Sequence, residues 1–164
     1  MNDSHTVAVG LGELAVGSHA LDLLVCYGLG SCIGIAAYDP VAKIGGLVHV
    51  VLPDSTLAHG RDNAAKFADT AVPALLGRLT GAGANPQRLV VKMAGGAQML
   101  AASPLASRLD IGQRNAEAVR AALVKAGMRL AAEDIGGNYG RTLRFWIGPG
   151  TIQLSTIGRG EKAL

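Results

Sequence analysis

At 164 residues and 16.7 kDa the chain suits one domain spanning 1–164, long enough to bury roughly two thirds of its unfolded surface without disulfides or metals. Hydrophobic residues at 49% against charged residues at 16% exclude a disordered chain, and the 23 glycines imply many turns or close backbone approaches. A net charge of +3 carried by scattered basic residues excludes a nucleic-acid tail, and a start without a basic, then apolar, leader, with no apolar run near the ~20 residues of a membrane helix, predicts a cytosolic protein that neither binds nucleic acid nor inserts in a membrane.

In chain order, HTVAVG (5–10), ALDLLVCYG (20–28), SCIGIAAYD (31–39) and GGLVHVVLP (45–53) carry β-branched or apolar alternation ended by Gly or Pro, the pattern of strands. From Asp62 the period changes. Ala64, Ala68, Ala71, Val72, Leu75, Leu76 and Leu79 recur at helical spacing until Gly81 and Gly83, which predicts a helix over 62–80 with Pro73 as its point of kinking. RLVVKMAGG (88–96) reads as a buried strand entering a glycine turn. Residues 113–126 repeat the helical spacing through Ala116, Val119, Leu123 and Ala126, and Gly127 closes that helix. RLAAEDIGG (129–137) is a further strand, and TLRFWIGPGTIQLSTIG (142–158) a hairpin turning at Pro149-Gly150. A hairpin-rich start with two later helices favours an α/β (α+β) layered sandwich of mixed β-sheet over a doubly wound parallel sheet.

Chemistry concentrates in the first third. GLGSC (28–32) ends at Cys32, and His49 follows 17 positions later, with room for a strand, a turn at Asp39-Pro40 and a returning strand. A thiolate is the attacking species of cysteine chemistry, and a neighbouring imidazole is the usual device for making one at neutral pH. Gly28 and Gly30 permit a sharp turn that exposes the Cys32 thiol and lets the backbone N–H groups of Ser31 and Cys32 converge on a developing oxyanion. Other readings stay open. Cys32 alone reads as a small buried hydrophobe, and His49, alternating with Val48 and Val50, as a hydrogen-bonded histidine on a sheet face. Cys26, Cys32 and His49 together read as a Cys₂His zinc site, although no carboxylate stands nearby in sequence. Gly28, Gly30 and Gly34 approximate a dinucleotide fingerprint, but a strand and not a helix follows them. The two cysteines are expected to be reduced, and His5, His19 and His59 to face solvent.

GLGSC, YDP, GGLVHVVLP, KMAGGA, IGQRN and EDIGGNYGR occur here in the order of the CheD family, the chemoreceptor glutamine deamidases of chemotaxis, and the chain resembles that family over nearly its whole length. The resemblance implies a cytoplasmic enzyme, needing no cofactor, that hydrolyses selected glutamine side chains of methyl-accepting chemoreceptors to glutamate. It implies a fold related to glutamine-deamidating toxins and a Cys, His and Thr triad, with Cys32 the nucleophile and His49 the histidine. At the threonine position stands Cys26, a weaker acceptor for the imidazole N–H. Cys26 serving in that place, a backbone carbonyl replacing it, and a chain that only docks on receptors or on a CheC-type phosphatase all stay open. Arg114 and Asn115 of IGQRN are expected near a partner-facing surface, and Asp134 with Arg141 either to pair and hold a loop or to meet an acidic receptor helix.

Overall fold

The computed structural model describes residues 4–58, 63–100 and 103–164. In chain order it places β1 (His5–Ala8), β2 (Leu14–Gly17), β3 (Asp22–Leu29), β4 (Ile33–Asp39), β5 (Ile44–Val50), α1 (Ala68–Gly81), β6 (Val90–Gly95), α2 (Pro104–Leu109), α3 (Ile111–Lys125), β7 (Leu130–Ile135), β8 (Arg141–Trp146), β9 (Thr151–Thr156) and β10 (Gly160–Ala163). The strands form two mixed five-stranded sheets, ordered β1-β3-β8-β9-β10 and β2-β5-β4-β6-β7.

Strand periodicity makes this a three-layer α+β sandwich. In β4 and β5, Ile33, Ile35, Ala37, Val48 and Val50 project to one face and join Val72, Leu75 and Leu79 of α1 and Val119 and Leu123 of α3. The alternate residues Ala36, Tyr38 and Leu47 project to the other face and meet Leu24, Leu143, Phe145 and Leu154 of the opposing sheet. Helices thus cover one face of the β2–β7 sheet, and the second sheet covers the other. Gly46 lets α1 lie close, because a Cβ there would stand 2.8 Å from Leu75 Cδ1.

The β4–β5 hairpin carries the sequence between Cys32 and His49 and turns where Asp39-Pro40 predicted. Its turn is fixed by the buried Asp39 carboxylate, which accepts the backbone N–H groups of Val41, Ala42 and Asn85 and the Arg88 guanidinium, whose Nη2 is 2.8 Å away. Hydrogen bonding by Arg88 holds that carboxyl well below the ordinary carboxylate range.

Three expectations change in detail. The helix read over 62–80 begins at Ala68, because Phe67 is extended (φ −112°, ψ 137°) and Ala64–Lys66 forms a separate 3-10 turn; Asp62 lies outside the described residues. The helix read over 113–126 starts at Ile111, where the Asp110 side chain accepts the Gln113 N–H as an N-cap. The short elements β2, β10 and α2 add to the expected set. The four-residue GEKA of β10 is exposed throughout and is held by antiparallel pairing with β9, so no apolar period announces it.

Candidate functional site

Cys32, His49 and Cys26 all belong to the layer between the sheets. Gly34 is the cross-strand neighbour of His49, and Cys32, two residues earlier, packs with Cys26 against the same apolar cluster. Gly34 keeps this corner open: a Cβ there would stand 3.1 Å from Leu29 Cδ1, 3.3 Å from Leu143 Cδ1 and 3.7 Å from Cys26 Sγ.

His49 is held on three sides by the loop after β1. Its backbone N–H donates to the Glu13 carbonyl at 3.0 Å, its carbonyl accepts the Gly12 N–H at 2.9 Å, and its ring Nδ1 lies 2.9 Å from the Val9 carbonyl. A carbonyl only accepts, so the proton sits on Nδ1 and Nε2 keeps its lone pair. Nε2 is buried and has no hydrogen-bond partner among the described residues, in a residue only 3% exposed. A ring nitrogen with a free lone pair can accept a hydrogen bond or a proton from a group brought beside it. The acceptor for the imidazole N–H is therefore a backbone carbonyl, one of the alternatives the sequence leaves open, and Cys26 makes no hydrogen bond to the ring.

Cys26 is fully buried, and burial, with the nearby Cys32, pushes its thiol far above the ordinary range. Burial also raises the Cys32 thiol, which is only partly covered. Both cysteines are free. Burial therefore favours the thiol form of Cys32 over the thiolate.

The turn leading to Cys32 is tied down through its carbonyls. Gly30 C=O accepts the Ala97 N–H at 2.8 Å, Ser31 C=O accepts Asn115 Nδ2 at 2.9 Å, and Cys32 C=O accepts the Gly96 N–H at 2.9 Å. By contrast, nothing among the described residues accepts the N–H of Ser31 or of Cys32. Glycines at 95 and 96 make this approach feasible: a Cβ on Gly95 would stand 2.1 Å from the Cys32 carbonyl oxygen, and Gly95 has φ +122°.

Arg141 secures the neighbouring turns. Its Nε donates to Asp134 Oδ1 at 2.7 Å and its other nitrogens to the Gly95 and Gly136 carbonyls, while its guanidinium lies 4.5 Å from the Tyr139 ring centroid. At 3% exposure Arg141 is a strut between sheets and cannot meet a partner. Burial alone would raise the Asp134 pKa, but hydrogen bonds from Lys162 and Arg141 outweigh it and hold the carboxyl low.

Other residues fall elsewhere. Asn115 is fully buried, whereas Arg114 lines a groove of about 1110 Å³ between α1 and α3, across the sheet from His49. His5 departs from a purely solvent role, since its Nδ1 lies 3.3 Å from Asp22 Oδ1 although the ring is largely exposed. His19 contributes its backbone N–H to Asp22, and His59 lies outside the described residues. No three His, Cys, Asp or Glu side chains among the described residues are placed to hold a metal ion, which removes the zinc reading of Cys26, Cys32 and His49; Cys26 is buried in apolar packing that disfavours its thiolate, and the Nδ1 side of His49 is occupied. The strand β4, which contains Gly34, stands where a dinucleotide site needs a helix and removes that reading. No helix among the described residues is long and apolar enough to cross a membrane.

A buried imidazole with a free Nε2, on the strand paired with the one that directly follows the Cys32 thiol, and a turn with free N–H groups are parts of a thiol-dependent acyl-transfer site in an α+β sandwich. Residues 51–156 match the sequence profile of the family described as CheD chemotactic sensory transduction, a stretch that begins just after His49. Matches to individual proteins extend over the whole chain. A protein of Symbiobacterium thermophilum, named probable chemoreceptor glutamine deamidase CheD, is 54% identical and covers 100% of both chains. Proteins of the same name from Moorella thermoacetica and Caldanaerobacter subterraneus are 48% and 43% identical, covering 96% and 98% of this chain and 95% and 98% of their own. The chain belongs to the CheD family. Among solved structures, a hypothetical protein YfiH of Bacillus licheniformis aligns with a TM-score of 0.48 and 14% identity, over 74% of this chain and 49% of that one.

Proposed function

We propose that this chain hydrolyses glutamine side chains of chemoreceptor cytoplasmic domains to glutamate through a Cys32 thioester, acting in the cytoplasm without a cofactor. The observation that carries the reading is the His49 ring, whose Nδ1–H donates to the Val9 carbonyl and whose Nε2 is left buried with a free lone pair. The names of the full-length relatives support the substrate.

In the first step His49 Nε2 takes the Cys32 proton, and the sulfur attacks the carboxamide carbon. A carbon–sulfur bond forms and the carbonyl oxygen becomes an oxyanion, which the free N–H groups of Ser31 and Cys32 stabilise. As the carbonyl re-forms, the carbon–nitrogen bond breaks, and the imidazolium gives its proton to the departing ammonia. His49 then removes a proton from water, which attacks the thioester; the carbon–sulfur bond breaks, and glutamate and the Cys32 thiol are released. The same route would accept a receptor methyl ester, with methanol leaving. Val9 supplies the acceptor that Cys26 would supply poorly, which supports chemistry over a docking role alone. Docking on a CheC-type phosphatase rests on family resemblance.

The test is peptide mass spectrometry of a cognate receptor cytoplasmic domain incubated with wild type, Cys32→Ala and Cys32→Ser. Conversion of glutamine to glutamate is expected with wild type only, with receptor binding retained by both variants. Turnover by Cys32→Ser would remove Cys32 as the nucleophile, and binding without conversion by wild type would leave only the docking role.

A further inference from the structure

We propose that Asn115 is a positioning residue for the oxyanion site, fixing the Ser31–Cys32 peptide so that the Cys32 N–H faces the reacting carbonyl oxygen. The assignment rests on the thiol chemistry proposed above.

Asn115 lies on α3, and its side chain crosses to the turn that carries the nucleophile. It is 0% exposed, and Nδ2 donates both hydrogens, one to Ser31 C=O and one to Val51 C=O, each at 2.9 Å. Both partners are acceptors, which fixes which end of the amide is nitrogen. One side chain therefore clamps the residue before Cys32 to the residue two after His49, joining the two ends of the reactive hairpin.

The consequence for the turn follows from peptide geometry. The chain contains no cis peptide bond among the described residues, and in a trans peptide the N–H points opposite to the C=O of the same plane. Ser31 C=O and Cys32 N–H share one plane. With the carbonyl drawn inward to Asn115, the N–H is turned away from α3, and nothing among the described residues accepts it. The next plane back behaves alike, since Gly30 C=O is held by the Ala97 N–H and the Ser31 N–H is left free. Without the Asn115 hydrogen bond the Ser31–Cys32 plane is free to rotate, and an oxyanion site depends on donors fixed before the charge develops. Asn115 also leaves its own Oδ1 buried without a partner. Retaining such a group on a helix that Leu or Ala would stabilise better indicates that the two donated hydrogen bonds are what the position requires.

The test separates oxyanion stabilisation from thiol reactivity in the intact protein. Acylation of Cys32 by p-nitrophenyl acetate forms a sulfur–carbon bond through a tetrahedral oxyanion and expels p-nitrophenolate, with the thiol proton passing to His49. Alkylation by iodoacetamide forms a sulfur–carbon bond in one displacement that expels iodide and has no oxyanion. Asn115→Ala is expected to slow acylation on the order of 10²-fold, the range for loss of one oxyanion donor, while alkylation and its pH profile change less than about threefold. A parallel fall in both rates, unchanged acylation, or a wild type that is not acylated at Cys32 overturns the assignment. Should Asn115→Ala lose the wild-type circular dichroism, the wild type alone decides: its Cys32 amide proton should exchange freely at rest and become protected when a short peptide aldehyde adds to the thiol as a hemithioacetal, and an amide that stays unprotected overturns it. The expected acylation-to-alkylation ratio in a protein that leaves receptor glutamines unchanged upholds Asn115 and sinks only the substrate.

Discussion

Replacing Cys26 by alanine isolates the question of what orients His49. Cys26 is fully buried between the sheets, opposite Leu143 and beside the space that Gly34 leaves open. Removing Sγ deletes one heavy atom from tightly packed surroundings. Large-to-small core changes of this size cost about 1–2 kcal/mol in lost transfer energy and residual cavity, which for a chain of this length lowers the melting temperature by about 2–8 °C. Turnover should barely respond, because the imidazole N–H is engaged by the Val9 carbonyl at 2.9 Å. Receptor deamidation followed by mass spectrometry should stay within about threefold of wild type at a temperature well below the transition. In serine hydrolases, disabling the residue that sets the histidine tautomer costs about 10⁴-fold in turnover. A loss in Cys26→Ala above about 30-fold, with melting lowered by only a few degrees, would refute the assignment of that role to Val9.

Two further outcomes follow from the same surroundings. Burial raises both thiols, so above the ordinary thiol range near pH 8.5 the unfolded chain binds fewer protons than the folded one, and stability present below that pH is lost as pH climbs toward the folded values; thermal melts from about pH 7 to pH 10 should show a decline that flattens in Cys26→Ala, and an equally steep decline in that variant would exclude Cys26 as its source. Gly95→Ala should lower both stability and Cys32 alkylation, because its Cβ would meet the Cys32 carbonyl oxygen at 2.1 Å from a backbone at φ +122°; strain in such a conformation costs about 1–3 kcal/mol before the clash is relieved, and wild-type melting with wild-type alkylation would show that the turn yields freely.

The hairpin carrying Cys32 and His49 was readable because its signals are local: alternating apolar residues, a turn at Asp39-Pro40, and glycines at the start of the turn before the thiol. The role of Val9 was not. Its carbonyl is a backbone group 40 positions from His49 with no identity of its own in sequence, and the pairings of β1 with β3 and of β2 with β5, with the loop between β1 and β2, bring it there. Asn115 sat in a motif that the family resemblance set near a partner-facing surface, whereas it shares the buried helix face of Val119 and Leu123 and donates to Ser31 and Val51. Asp134 and Arg141 were legible as a pair, but the burial that makes Arg141 a strut comes from two sheets closing over it. The start of α1 was misplaced because the extended Phe67 splits a continuous apolar period into a 3-10 turn and a helix.

The β4–β5 hairpin links Cys32 to His49 by closing one short loop, an event that costs little chain entropy and belongs to the fast, local part of folding. What tunes the pair arrives from far along the chain: Val9 from 40 residues before His49, and Asn115 from 84 residues after Ser31. A half-made chain leaving the ribosome therefore already carries Val9 with His49, but not the Asn115 side chain that holds the Ser31 carbonyl. The Ser31–Cys32 peptide therefore gains its side-chain hydrogen bond only when α3 docks, so the turn before Cys32 is completed by a late-made element.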